Sequence, residues 1–263
     1  MPNKYLARED ALLAPETWKL LDAAMMEAAK SQLVGRRLLH IEGPFGLGLK
    51  IVPLHDVEVK PGMMASEFLP VLLLQKTFAL SVRDLASYER EGIALDTSPV
   101  AGAAIACAQL EDELIFNGAS LIPGLLTVEG SNELELSPWD EVGAAAEDII
   151  KAVTTLDSAG FHGPYCLALA PARYNLLLRL YPRGPYTELE HVQTLVTDGV
   201  FKAPILESCG VLLASGRQFA SIVLGQDMTI GFIGPVEGKL EFSISESLAP
   251  IIRQPQAICV LKE

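Results

Sequence analysis

Residues 98–118, SPVAGAAIACAQLEDELIFNG, constrain this chain more than any other stretch. Ser98 can accept hydrogen bonds from the first free amides of a helix, and Pro99 suits the first helical position. Asn117 and Gly118 supply a stop signal. The pattern therefore predicts a helix of about five turns.

The same helix is predicted to be buried, because its first half is nearly all apolar and rich in alanine. Ala103, Cys107, Leu110 and Leu114 recur at three- and four-residue spacing. Residues 111–113 (EDE) carry its charges, and neighbouring helix positions point in different directions, which favours a structural role over acid/base chemistry. We interpret the helix as a spine against which other elements pack.

The composition permits one large domain or two smaller ones in 263 residues. Apolar residues make up 50% of the chain and the mean hydropathy is +0.31, yet apolar runs such as residues 68–74 are too short to span a bilayer. The surplus apolar surface predicts either a well-filled core or a large interface with other copies. The N-terminus has no pattern of an export signal.

The net charge and the cysteines limit which partners and which compartment the chain is expected to have. The chain has 20 basic and 33 acidic residues, a net charge of −13, which argues against nucleic acid as a partner. Its cysteines are widely spaced, with no pair at metal-ligand spacing, and are predicted to be reduced core thiols of a cytoplasmic protein: Cys107, Cys166, Cys209 and Cys259.

Residues 50–82 predict a long two-stranded ribbon, with residues 51–59 leading to a turn at Lys60-Pro61-Gly62 and residues 63–80 returning. An isolated hairpin is marginal in water, so we expect this apolar ribbon to lie on a neighbouring subunit. Elsewhere the pattern predicts an extended arm up to Ala14 and helices over residues 15–34 and 139–159.

Motifs that carry chemistry are missing from the sequence. It has no Gly-x-Ser-x-Gly and no phosphate-binding loop, and residues 46–48 (GLG) lack the third glycine and following helix of a dinucleotide site. The acid pair Glu188 and Glu190 predicts a solvated helix face. We therefore expect no catalytic residue, no metal site and no cofactor, and we favour a structural or binding role.

Several segments together resemble one family, the encapsulins of the linocin (bacteriocin) type, which are family 1 shell proteins of bacterial and archaeal nanocompartments. The resemblance runs nearly end to end and rests on segments in the family's order and spacing: residues 32–37 (QLVGRR), 42–46 (EGPFG), 111–118 (EDELIFNG), 163–165 (GPY), 224–231 (LGQDMTIG) and 256–261 (QAICVL).

The resemblance implies an α+β fold of the Hong Kong 97 phage-type major capsid class. It assigns residues 1–49 to an N-terminal arm, a cargo-docking helix and the first strand of the peripheral domain, and residues 50–82 to the extended loop. Residues 83–124 are then the peripheral domain with the spine helix, residues 125–235 the axial domain, and residues 236–263 the closing peripheral strands.

The resemblance also implies two sites. A luminal groove would bind C-terminal targeting peptides of cargo enzymes, which in the family are often ferritin-like iron-storage proteins or peroxidases, and would use Ala29, Leu33, Arg36, His40, Asp227, Met228 and Ile230. A five-fold pore would be lined by Tyr181, Pro182, Arg183, Gly184, Pro185 and Tyr186, with copies of Arg183 forming a positive ring on an acidic shell.

The function that the resemblance implies is a cytoplasmic, icosahedral homo-oligomer of sixty copies or a multiple, which encloses cargo and has no membrane partner. Two alternatives stay open at this point. One is a phage or prophage major capsid protein that packages DNA, and the other is a hydrolytic enzyme, because some relatives were once described as proteases or bacteriocins.

Overall fold

The computed structural model describes residues 4–182 and 184–263. Its helices are α1 (Pro15–Lys30), α2 (Gly35–Leu38), α3 (Val82–Glu91), α4 (Ser98–Asn117), α5 (Ala144–Ser158), α6 (Pro171–Leu176) and α7 (Glu188–Leu195). Its strands are β1 (His40–Glu42), β2 (Ile51–Lys60), β3 (Met63–Pro70), β4 (Leu72–Ser81), β5 (Gly118–Ala119), β6 (Ile122–Pro123), β7 (Asn132–Glu135), β8 (Tyr165–Leu169), β9 (Val200–Lys202), β10 (Gly210–Ala214), β11 (Ala220–Val236), β12 (Lys239–Ile252) and β13 (Ile258–Lys262). Across these described residues, every helix is too short or too polar to cross a membrane.

The chain divides into two compact units. The first unit contains residues 4–33, Gly43–Glu111 and Leu224–Ala249, and the second contains Val34–Glu42, Asp112–Val223 and Pro250–Glu263. Helix α4 and strands β11 and β12 each contribute residues to both units.

The core of the first unit lies between helices and a sheet. Strand β4 pairs antiparallel with β12 over ten residues, from Leu72 opposite Leu248 to Ser81 opposite Lys239. The ring of Phe242 on β12 has Trp18, Phe78 and Phe232 around it, with centroids 5.2–5.8 Å away. The spine helix is confirmed, since α4 contributes one buried face to this core: Val100, Ala103, Ala104, Cys107 and Ala108.

The predicted ribbon is confirmed only in part. Strands β2 and β3 pair antiparallel around the turn at Pro61 and Gly62, from Ile51 opposite Pro70 to Lys60 opposite Met63. The return strand stops at Pro70, because the following β4 pairs with β12 instead. The ribbon exposes a set of large apolar side chains that includes Phe68 at 58%: Ile51, Leu54, Val59, Met63, Met64 and Phe68.

The second unit is built on a five-stranded sheet in the order β7-β13-β10-β8-β9. Strands β8, β10 and β13 are buried along nearly their whole length, and α5 packs on them in one apolar cluster. Strand β1 pairs parallel with the start of β11, with His40 opposite Ser221 and Glu42 opposite Val223.

The predicted bounds of two helices and the predicted conformation of the N-terminal arm were wrong. Residues 4–14 form short 3-10 turns at Lys4–Leu6 and Arg8–Ala11 rather than an extended arm. Helix α5 begins at Ala144 instead of residue 139, because Asp148 accepts hydrogen bonds from Ser137 N and Trp139 Nε1 and holds that segment off the helix axis. Helix α1 ends at Lys30, and a separate helix, α2, begins at Gly35.

The start of α2 depends on one acid of the spine. Asp112 is buried, and its carboxylate accepts hydrogen bonds from the amides of Val34 at 3.0 Å and Gly35 at 2.9 Å. A side chain in place of the glycine would meet Ile115 Cδ1 at 2.5 Å, so Gly35 is required for this close approach. The structural role predicted for Asp112 is thereby confirmed.

A second carboxylate ties β1 to the loop and strand beside it. Glu42 Oε1 accepts hydrogen bonds from Ser221 Oγ at 2.6 Å and Arg253 Nη2 at 2.9 Å, and Oε2 accepts one from Arg217 Nη2 at 3.0 Å. Burial raises the pKa of Glu42, but these hydrogen bonds and the charge of Arg253 outweigh it and lower the pKa from 4.5 to about 2.

We predict that Asp112→Ala lowers the free energy of unfolding by about 2–4 kcal/mol, because it leaves two buried amides without their acceptor. Guanidinium unfolding followed by circular dichroism measures the change. The matched control is Glu113→Ala at the exposed neighbouring position, which should change stability by less than about 0.5 kcal/mol. Equal losses in the two variants would contradict the capping role.

We predict that Glu42→Gln lowers the free energy of unfolding by about 2 kcal/mol at neutral pH. This is less than the free energy that corresponds to the full pKa shift, because Arg217 is well exposed and solvent weakens its interaction. The pKa of Glu42 is lower in the folded state, so its contribution is present above pH 4.5 and is lost as the pH falls towards 2. The difference between wild type and variant should therefore shrink over that range. Exposed Glu129→Gln serves as the control and should follow wild type throughout.

Candidate functional site

Five of the predicted groove residues lie in the first unit. Ala29, Leu33 and Ile230 are buried members of its apolar core, and Met228 packs against that core while half-buried. Asp227, the next residue along β11, is exposed. Of these five side chains, those of Met228 and Asp227 are accessible to solvent, whereas the other three lie beneath the surface.

The main chain of β11 at this point is held by its own side chains. Asp227 Oδ1 accepts a hydrogen bond from Met228 N at 2.9 Å, and Thr229 Oγ1 donates to the carbonyl of Asp227 at 2.7 Å. On the other side, Gln226 N donates to Ser247 Oγ of β12 at 2.8 Å. These bonds fix the direction in which residues 226–229 present their side chains.

A cavity of about 870 Å³ lies outside this part of β11. It is lined by the loop of residues 44–48, which is attached to the strand because Phe45 N donates to the Leu224 carbonyl and Gly46 N to that of Gly225. Lys4 and Tyr5 also line it. Such a mixed polar and apolar lining suits an extended peptide that is bound through both main chain and side chains.

The two remaining groove residues lie in the second unit. Arg36 is half-buried on α2, and His40 is exposed at the start of β1, where it pairs with Ser221. Their predicted contact with a cargo peptide stays a prediction.

The predicted pore loop forms a tight turn between α6 and α7. Tyr181 N donates to the Tyr186 carbonyl at 3.0 Å, and Gly184 N donates to the Tyr181 carbonyl at 3.3 Å. Pro182, Pro185 and Tyr186 are exposed. Arg183, the residue predicted to carry the charge of the pore, lies outside the described residues.

A buried carboxylate holds the base of this loop, which sequence reasoning missed. Glu188 was predicted on a solvated face, but it is completely buried, and its Oε1 accepts hydrogen bonds from the amides of Gly143 and Ala146 at the start of α5. Its Oε2 lies 3.5 Å from Arg179 Nη2. The N-terminus of a helix favours such a negative charge. In the sequence, the position of Glu188 in the first turn of α7 is the signal that could have indicated its structural role.

Glu190, the other acid of the pair, and the side chains of Tyr181 and His191 make further contacts beside this loop. Glu190 forms a capping box with Thr187 at the start of α7. Tyr181 Oη lies 2.9 Å from His191 Nδ1. Burial, with the charges of Glu188 and Glu147, raises the pKa of Tyr181, so the phenol stays neutral and able to donate.

The chain is similar to known proteins over nearly its whole length. The family model described as encapsulating protein for peroxidase matches residues 3–249. The type 1 encapsulin shell protein EncA of Myxococcus xanthus (strain DK1622) is 32% identical over 280 aligned positions, which cover 100% of this chain and 97% of the relative.

Solved structures show the same fold. The virus-like particle from Pyrococcus furiosus superposes with a TM-score of 0.78 at 24% identity, covering 94% of this chain and 100% of that chain. The capsid of Myoviridae phage XM1 superposes with a TM-score of 0.62 at 14% identity, covering 85% and 88%. The predicted α+β fold of the Hong Kong 97 phage type is therefore confirmed, and with the family match the chain belongs to the encapsulin shell proteins.

Proposed function

We propose that many copies of this chain assemble into a closed icosahedral shell that encloses cargo enzymes. The observation that carries the proposal is the ribbon of β2 and β3, whose large apolar side chains are exposed in the single chain. An exposed apolar ribbon of this size is typical of an interface, and a neighbouring copy would cover it. Because the ribbon would contact a different surface of that copy, the repeated contacts form a closed assembly only if symmetry closes them. The names of the similar proteins, a shell protein and a virus-like particle, support this proposal.

We predict that Phe68→Asp prevents particle formation, because a carboxylate cannot be desolvated in an apolar contact between copies. Size-exclusion chromatography with light scattering should then find small species, while circular dichroism stays as in wild type. The conservative variant Phe68→Leu should still form particles. Intact particles of Phe68→Asp, or wild-type protein that stays a monomer, would contradict the proposal.

We propose that cargo binds along β11 in the first unit, with Met228 and Asp227 in contact with a C-terminal targeting peptide and Ala29, Leu33 and Ile230 supporting them. The half-exposed methionine offers an adaptable apolar contact, and the exposed carboxylate fixes the register of the peptide. The family description as an encapsulating protein for peroxidase supports a peroxidase as the cargo, and a ferritin-like protein is the other candidate predicted from the resemblance.

We predict that Met228→Asp lowers cargo content at least roughly tenfold while shells still form, because it places a second charge against an apolar peptide. The ratio of cargo to shell is measured by gel densitometry after co-expression with the peroxidase of the source organism. Met228→Leu keeps the apolar contact and should load as wild type. Unchanged loading of Met228→Asp would rule out this groove.

Residues 181–186, including Arg183, are proposed to line the five-fold pore. The contacts of Glu188, Arg179 and Tyr181 beside this segment support the proposal. We also propose that the shell contributes compartment and pores rather than catalysis, and that it is cytoplasmic. Free thiols at all four cysteines are in keeping with a reducing compartment.

The likeness to a phage capsid favours one further test. A coat protein that packages DNA would yield particles whose DNA is protected from added nuclease. Their ratio of absorbance at 260 nm to absorbance at 280 nm would be high and would stay high after nuclease treatment. We expect purified particles to lack nucleic acid, because a net charge of −13 repels it.

A further inference from the structure

The N-terminal strap, which we define as residues 4–12, is joined to α1 and β11 through the side chain of Arg8. Arg8 donates to both carboxylate oxygens of Asp22 on α1, and its Nε donates to the carbonyl of Ile230 on β11 at 2.8 Å. Its guanidinium lies 4.5 Å from the ring centroid of Trp18. One side chain thereby joins the strap to both the helix and the strand next to Met228.

The strap lies close against β11. A side chain at Gly231 would meet the Leu6 carbonyl and Leu6 Cδ2 at 3.3 Å, so the two segments are in tight contact. Ala7 and Leu12, at φ +50° and +52°, adopt the left-handed conformation and turn the chain on either side of Arg8. Ala11 is buried in the apolar core, which anchors the far end of the strap independently of Arg8.

The strap also lines the space beside the proposed groove. Lys4 and Tyr5 line the cavity of about 870 Å³, together with residues 44–48. A second cavity of about 490 Å³ is bounded by strap residues 4 and 6–10 together with Gln226 and Thr229. Both cavities reach β11 within three residues of Met228, on the same strand that presents Asp227.

We infer that Arg8 is a positioning residue for cargo binding: it holds the strap as one wall of a slot in which an extended peptide continues past Asp227. The inference rests on the proposed cargo groove and goes beyond it by naming a third element of the site. A wall that is already ordered lowers the entropy that the peptide must lose on binding. The planar guanidinium can bind a carboxylate through two hydrogen bonds and stack on an indole at once, and a lysine cannot.

The test uses assembled full-length shells and, as the probe, a fluorescent protein that carries the C-terminal tail of the source organism's peroxidase. We expect Arg8→Gln to raise hydrogen exchange at residues 4–8 and to lower probe loading roughly tenfold, with particle size unchanged. Arg8→Lys should lie between Arg8→Gln and wild type. The control Lys19→Gln, at an exposed position of α1, should match wild type in both measurements.

The outcomes separate this inference from the proposed function. Loading that is abolished by Met228→Asp but unchanged in Arg8→Gln overturns the role of Arg8 and leaves the groove in place. Unchanged exchange at residues 4–8 in Arg8→Gln also overturns it, whatever the loading. Unchanged loading of Met228→Asp overturns the groove and the inference together.

Discussion

Internal carboxylates determine where the elements of the second unit begin and how they are tied together. Asp112 accepts the amides that open α2, Glu188 accepts those that open α5, and Asp148 holds the segment before α5 in place. Glu42 joins β1 to two arginines. Each of these carboxylates accepts hydrogen bonds, and Arg179 Nη2 lies 3.5 Å from the remaining oxygen of Glu188; such partners offset the free-energy cost of burying a charge. Part of the acidity of the chain is therefore structural.

The ribbon of β2 and β3 presents the opposite situation. Its main chain is paired, but its apolar side chains remain exposed in one copy. A chain that buries Leu21, Ile149 and Phe242 completely, yet leaves Phe68 open to solvent, is organised for contact with further copies. Membership of the encapsulin family agrees with this interpretation, because its members are named as shell proteins.

The proposed cargo site follows from how β11 is held at its margins. Loop residues 44–48 bond to its carbonyls at Leu224 and Gly225, and Arg8 bonds to its carbonyl at Ile230. Between these points, Asp227 is exposed and Met228 is half-buried. We propose that this site takes an extended peptide segment rather than a folded domain.

Local patterns in the sequence determined the spine helix and the turn of the ribbon, because helix periodicity, caps and glycine turns act between near neighbours in the chain. The family was indicated by the resemblance of several segments spread along the chain. Tertiary structure alone decided that β4 leaves the ribbon to pair with β12, that Glu188 is buried, and that Arg8 contacts Ile230. These outcomes join residues far apart in sequence, and their free energy depends on which partner is in reach after folding. No local spacing encodes that choice.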